Sequence, residues 1–144
     1  MRTNKDISTI SYNTEEFLKL KLNQLLNDKI INYWCYIKHD PEEDEKKNHI
    51  HLFIKPNCQV DTMDLENYFI EFLPGEKLPR KTIFFEKSKS DDWILYNQHF
   101  RPYLISKMED RIYFYQKEDF VFSDLNSFEF LYSHAFNASD WAKT

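Results

Sequence analysis

Apolar and polar positions change period several times along this chain, and each change predicts an element. "DISTISYN" (6–13) alternates β-branched and polar residues and predicts a first strand. Thr14 then reads as a helix cap, and Phe17, Leu18, Leu20, Leu22, Leu25 and Leu26 give an apolar stripe to about Lys29. "IINYWCYIKH" (30–39) is aromatic and β-branched, a second strand, and "HIHLFIKP" (49–56) is a third. The stretch between them is too polar for anything but a loop. Asp61 or Thr62 caps a helix through Leu65, Tyr68, Phe69 and Phe72, closed by Pro74-Gly75, and "KTIFFEK" (81–87) is a fourth strand.

The order βαββαβ over the first 87 residues predicts an α+β fold of the ferredoxin-like, split-βαβ kind. Its antiparallel sheet would hold about five strands, with helices mainly on one face and the other face free to work. Further on, Ser90 caps a helix with Trp93, Tyr96 or Asn97, and Phe100 at helical spacing, which Pro102 kinks or ends. "RIYFYQ" (111–116) is the candidate fifth strand. "DLNSFEFLYSHAF" (124–136) predicts a last helix with Phe128, Leu131, Tyr132 and Phe136 on one side. At 144 residues the chain is one domain's worth, 1–144, its last twenty or so residues a C-terminal helix and tail.

Composition narrows the chemistry. Gly75 is the only glycine, and both the phosphate loop and the dinucleotide fingerprint need several at fixed offsets, so an ATPase or a Rossmann dehydrogenase is excluded. Cys35 and Cys58, without a CxxC spacing, make neither a disulfide framework nor a zinc knuckle. No apolar run approaches the ~20 residues of a membrane helix, and the N-terminus lacks a signal-peptide core, which places the chain in the cytoplasm with no membrane partner. A net charge of −5 argues against bulk attraction to nucleic acid. The charge is unevenly spread, however, which leaves room for a locally basic surface. Residues 40–47 carry Asp40, Glu42, Glu43, Asp44 and Glu45, while 77–107 carry Lys77, Arg80, Lys81, Lys87, Lys89, Arg101 and Lys107 against three acids.

His49 and His51 alternate on one strand, so both point to one face, roughly 7 Å apart at the backbone. If 30–39 and 49–56 pair as a hairpin, His39 joins them at its mouth, beside the carboxylates of the acidic loop. Imidazole with carboxylate suits Mn²⁺, Mg²⁺ or Zn²⁺, and a site with open positions serves catalysis. Against this stands a solvated hairpin tip with incidental histidines; three of five histidines meeting at one hairpin mouth weigh for the metal. Histidine-triad nucleotide hydrolases need a third alternating histidine where Phe53 stands, and two-histidine phosphodiesterases need Ser or Thr where His51 stands.

"HIHLFI" is similar to the histidine-hydrophobe-histidine (HUH) motif of single-strand DNA nicking enzymes. "DDWILYNQH" followed by "RIYFYQKEDF" resembles the tyrosine region of plasmid rolling-circle replication initiators, over about residues 33–120. That resemblance implies Tyr96 as nucleophile, and His39, Glu42, His49 and His51 as ligands of Mn²⁺ or Mg²⁺ ahead of Zn²⁺. It implies nicking of single-stranded DNA at a replication origin, with a 5′-phosphotyrosine intermediate and a free 3′-OH that primes rolling-circle replication. A phenol of pKa ~10 needs a proton acceptor and a cation near the phosphate. His99, three residues after Tyr96 on the same helical face, is the candidate for orienting it or taking its proton, ahead of Asp92; many relatives have lysine there. Tyr103 is the second choice of nucleophile, while Tyr113 and Tyr115 read as sheet residues.

Lys55 shares the histidines' parity and is a candidate phosphate contact, with Arg80, Lys87 and Arg101 as further candidates for DNA. If the histidine face is the working face, Trp34 and Tyr36 are core. Two alternatives remain: a small single-tyrosine HUH transposase, and a non-catalytic module that binds single-stranded nucleic acid. No helicase motif is present. Initiators of this type usually continue into an oligomerisation or helicase region, so the chain is either a nuclease-domain fragment or depends on a host helicase and polymerase.

Overall fold

The computed structural model of the chain describes residues 1–39, 49–75, 77, 83, 85–87, 93–106, 108–109 and 114–138. In chain order the elements are β1 (Arg2–Thr3), β2 (Ile7–Ser11), α1 (Glu15–Asn27), β3 (Ile31–His39), β4 (His49–Pro56), β5 (Val60–Asp61), α2 (Thr62–Tyr68), β6 (Glu86–Lys87), α3 (Trp93–Gln98), α4 (Arg101–Ser106), β7 (Phe120–Phe122) and α5 (Leu125–Ala138). The main sheet runs β6-β2-β4-β3-β7, every pair antiparallel. The fold is α+β. Without β7 the order is that of a split βαβ: β4 lies between β2 and β3, which α1 connects, and β6 returns to the outer edge beside β2. β1 and β5 form a separate two-stranded sheet that the sequence pattern does not announce.

Helices cover both faces, where the pattern predicts mainly one. On the first face, Leu18, Leu22 and Leu25 of α1 and Leu65 and Phe69 pack on Ile7, Trp34, Tyr36, Leu52 and Ile54. On the second, Ile94 and Leu95 of α3, Tyr103 and Leu104 of α4, and Phe128 and Ala135 of α5 pack on Tyr33, Cys35, Ile37 and Phe53. The cause lies in β3 and β4, which carry large apolar side chains at both parities and so need cover on both sides, each fully buried side chain stabilising the fold by about 1.5–3 kcal/mol. Trp34 and Tyr36 are core, as the parity argument expects. Cys35 is fully buried, and burial pushes its thiol up to about 12, so it stays protonated.

The strand that pairs with the outer side of β3 is Phe120–Phe122, a segment the sequence pattern does not single out. It pairs Cys35 with Phe122 and Ile37 with Phe120, putting both phenylalanines on the second face, a three-residue alternation too short to stand out. Residues 114–116 are not strand, and 111–113 lie outside the described residues. Pro102 does not end a helix; it sits in the first turn of α4, where its missing N–H has no helical partner to lose. Leu20, counted in the apolar stripe, is exposed on α1, and α2 closes at Tyr68, before Pro74-Gly75.

With one glycine in the chain, helix ends use other residues in the left-handed conformation. Lys29 (φ 59°), His99 (φ 56°) and Met108 (φ 56°) end α1, α3 and α4. Each end has the paired bonds of a Schellman motif, for α3 from the Phe100 amide to the Leu95 carbonyl (3.1 Å) and from the His99 amide to the Tyr96 carbonyl (3.2 Å).

The start of α1 is held from a distance. Thr14 caps it without a side-chain bond into the helix. Instead the buried Glu71 carboxylate accepts from the Thr14 amide (3.0 Å), the Thr14 hydroxyl (2.6 Å) and Asn13 Nδ2 (3.1 Å). Glu71→Ala strands those donors, so it is expected to destabilise the fold by about 3 kcal/mol, read as a lower urea midpoint at unchanged slope. An unchanged midpoint would refute that role. Among the described residues, no helix is long and apolar enough to cross a membrane.

Candidate metal centre

Strands β3 and β4 pair His39 directly with His49, and Ile37 with His51. Register alone therefore brings three imidazoles to one face at the hairpin's open end. The ring centroids are 5.2 Å apart for His39–His49, 4.2 Å for His39–His51 and 5.1 Å for His49–His51. One ring nitrogen from each lies within 4.8 Å of the other two. An ion equidistant from donors at that limit would be about 2.8 Å from each, and modest ring rotation closes this to the ~2.1 Å of a metal–imidazole bond. The donor set fits a divalent cation.

His39 is buried, and its Nε2 lies 2.7 Å from the backbone carbonyl of Asn97 on α3. A carbonyl only accepts, so Nε2 carries the proton and Nδ1 is left as the lone-pair donor. This is the support that metal-bound histidines ordinarily have. Burial pushes His51 down to about 2, with the neighbouring His39, His49 and His99 opposing its charge further. At neutral pH His51 is uncharged and its lone pair is available. A divalent ion can bind three neighbouring imidazoles at once, where protons on adjacent rings would repel.

His99 does not share a helical face with Tyr96. The left-handed turn that ends α3 swings its ring into the cluster, 4.7 Å from His39, where it is buried. Tyr96 is on α3, immediately before Asn97, and is 37% exposed. Its neighbours Ile94, Leu95, Asn97 and Gln98 are buried, so they anchor the helix while the phenol side is free. Tyr103, the second choice, is buried in the core at 3% exposure.

Lys55 is half-buried and lines a cavity of about 260 Å³ with Tyr33, Asn126, Ser127, Phe130 and Leu131. It is four residues from His51, about 13 Å along the strand, with buried Phe53 between, so the fold does not bring it to the histidines. Arg101 is exposed, its guanidinium 5.8 Å from the Phe114 ring centre. Glu42, Arg80 and Asp92, the rest of the acidic loop, and the Ser90 cap lie outside the described residues, as do Lys81, Lys89, Lys107 and Tyr113. Lys87 is described by its backbone alone, on β6.

Three residues at the site escape sequence reasoning. Tyr115 stacks on His39, with ring centroids 4.6 Å apart and planes 3° from parallel. Asn97 contributes a backbone carbonyl, which no side-chain pattern signals. Tyr12 sits 6.2 Å from His49 between ring centroids and is 44% exposed. The register puts it there: β2 pairs Ser11 with Ile50 and Ile10 with His51, so the residue after Ser11 comes beside His49. On this part of the second face Ile10 and Tyr12 stay open to solvent, because α3, α4 and α5 pack over β3, β4 and β7. Neither a protein-family model nor a curated protein matches this chain, so its function is read from the residues themselves.

Proposed function

We propose that this chain is a metal-assisted single-strand DNA nicking and joining enzyme of the HUH kind, acting at a replication origin. The observation that carries the reading is the packing of α3 on the histidine cluster: Asn97 clamps His39, and the residue before it is the exposed Tyr96. His39, His49 and His51 would hold the ion, which supplies positive charge at a non-bridging phosphate oxygen. Three nitrogen donors suit Mn²⁺ better than Mg²⁺, which needs oxygen ligands such as the Glu42 carboxylate.

In the reaction the Tyr96 phenol oxygen forms a bond to phosphorus and the bond from phosphorus to the 3′ oxygen breaks. A 5′-phosphotyrosine and a 3′-OH result, and the phenol proton passes to a base, for which His99 is the candidate. Reversal rejoins the strand. Ile10 and Tyr12 offer an apolar and aromatic shelf beside His51 and His49 on which unpaired bases can stack. Arg101 would contact the phosphate backbone, with Arg80, Lys87 and, further off, Lys55 as additional contacts. A host helicase and polymerase would complete replication.

A non-catalytic module binding single-stranded nucleic acid is the second reading, which needs only the exposed shelf of Ile10 and Tyr12. Incubation with labelled single-stranded oligonucleotides and Mn²⁺ separates the two. A covalent protein–DNA adduct on a denaturing gel, lost with EDTA, is expected; binding without any adduct across a varied oligonucleotide pool would leave the second reading.

A further inference from the structure

The metal ligands depend on what holds their rings, and His39 has both a hydrogen bond and a stacked ring against it. A single hydrogen bond, such as that of Nε2–H to Asn97, fixes one point of a ring but not its tilt. Tyr115 bears on the tilt by lying flat against the imidazole, with ring centroids 4.6 Å apart and planes 3° from parallel, where the His51 and His99 rings meet it at 52° and 60°. Tyr115 is itself tied to Gln98 twice: its amide donates to the Gln98 carbonyl (3.0 Å), and Gln98 Nε2 donates to its carbonyl (3.2 Å). Gln98 Oε1 accepts from the Tyr132 hydroxyl on α5 (2.7 Å). Lys117 Nζ lies 4.8 Å from the Tyr132 ring centre, and its ammonium pairs with Glu129 (2.8 Å).

We propose that Tyr115 is a positioning residue of the metal centre, and that the Tyr132–Gln98 link transmits to it the placement of the last helix. Tyr115 acts through His39, setting the plane in which that ring presents Nδ1. Support of this order is worth about 10–100-fold in metal affinity where ligand orientation depends on it. The proposal rests on the metal reading of the three histidines. It does not depend on whether the ion serves DNA cleavage.

The test is titration of the metal-free full chain with Mn²⁺ by calorimetry and with Co²⁺ by absorption spectroscopy. Tyr115→Phe keeps the ring and is expected to bind within about twofold of wild type. Tyr115→Leu removes the plane and is expected to bind about tenfold or more weakly, with a changed Co²⁺ ligand-field band. Tyr132→Phe keeps every ring but breaks the link to Gln98, and is expected to weaken binding about threefold; it carries the test if Tyr115→Leu does not fold. Affinity and spectrum unchanged in Tyr115→Leu, or in Tyr132→Phe when that variant carries the test, overturn the positioning role while leaving the metal site standing. A wild-type chain that takes up neither ion overturns both.

Discussion

Replacing Tyr96 with phenylalanine is expected to abolish the covalent adduct, lowering nicking by about 10³-fold or more, while single-strand affinity stays within about twofold. The substitution deletes one oxygen from a side chain that is 37% exposed, so it leaves no cavity and strands no buried partner. Helix α3 keeps its anchors, since Ile94, Leu95, Asn97 and Gln98 are the buried residues and Asn97 still clamps His39. Stability should therefore change by no more than about 0.5 kcal/mol. A loss of nicking with binding and melting temperature intact assigns the nucleophile. Adduct formed at the wild-type rate would remove Tyr96 from that role and turn attention to Tyr12, an exposed phenol whose ring lies 6.2 Å from that of His49. The same gel with Tyr12→Phe then decides.

Much of this arrangement was legible in the residues because it depends on period-two alternation. His39, His49 and His51 converge because β3 and β4 pair in register, and parity along "IKH" and "HIHLFI" was enough to place them on one face. The split-βαβ order followed from the succession of strand and helix patterns. The covering of the second face was less visible, although Tyr33, Cys35, Ile37 and Phe53 had the apolar character that demands it. What escaped was set by backbone rather than by side-chain pattern. The end of α3 is a Schellman turn with histidine at the position where glycine is the usual signal, so the spacing reads His99 as part of the helix when it lies in the left-handed turn just beyond it. Tyr115 lies in an irregular segment whose aromatic residues mimic a strand, while the actual edge strand has three residues. Asn97 acts through its carbonyl, and any residue there could have done so.

His51→Ala is the second substitution with a large expected effect, and it acts in opposite directions on function and on acid stability. Removing one of three imidazole donors is expected to weaken Mn²⁺ binding by about 100-fold or more, and nicking with it. The stability effect follows from protonation. Burial and the neighbouring imidazoles hold His51 near about 2 in the folded chain, against an ordinary value of 6.5. Above pH ~6.5 neither state carries the proton and the group is neutral to stability. As pH falls toward 2 the unfolded chain takes up a proton that the folded chain refuses, and stability declines by up to about 1.4 kcal/mol per pH unit, or about 2 kcal/mol by pH 5. Alanine at 51 has no such proton to bind, so in metal-free protein the variant should lose less stability than wild type between pH 7 and pH 5, by that same ~2 kcal/mol. Urea unfolding at the two pH values measures it; parallel losses in the two proteins would show that His51 is not held neutral by the fold. Metal works against the acid loss, because an ion bound to the folded state alone stabilises it by mass action, so Mn²⁺ at a few times the wild-type Kd should raise the wild-type midpoint at pH 7 and scarcely move that of His51→Ala.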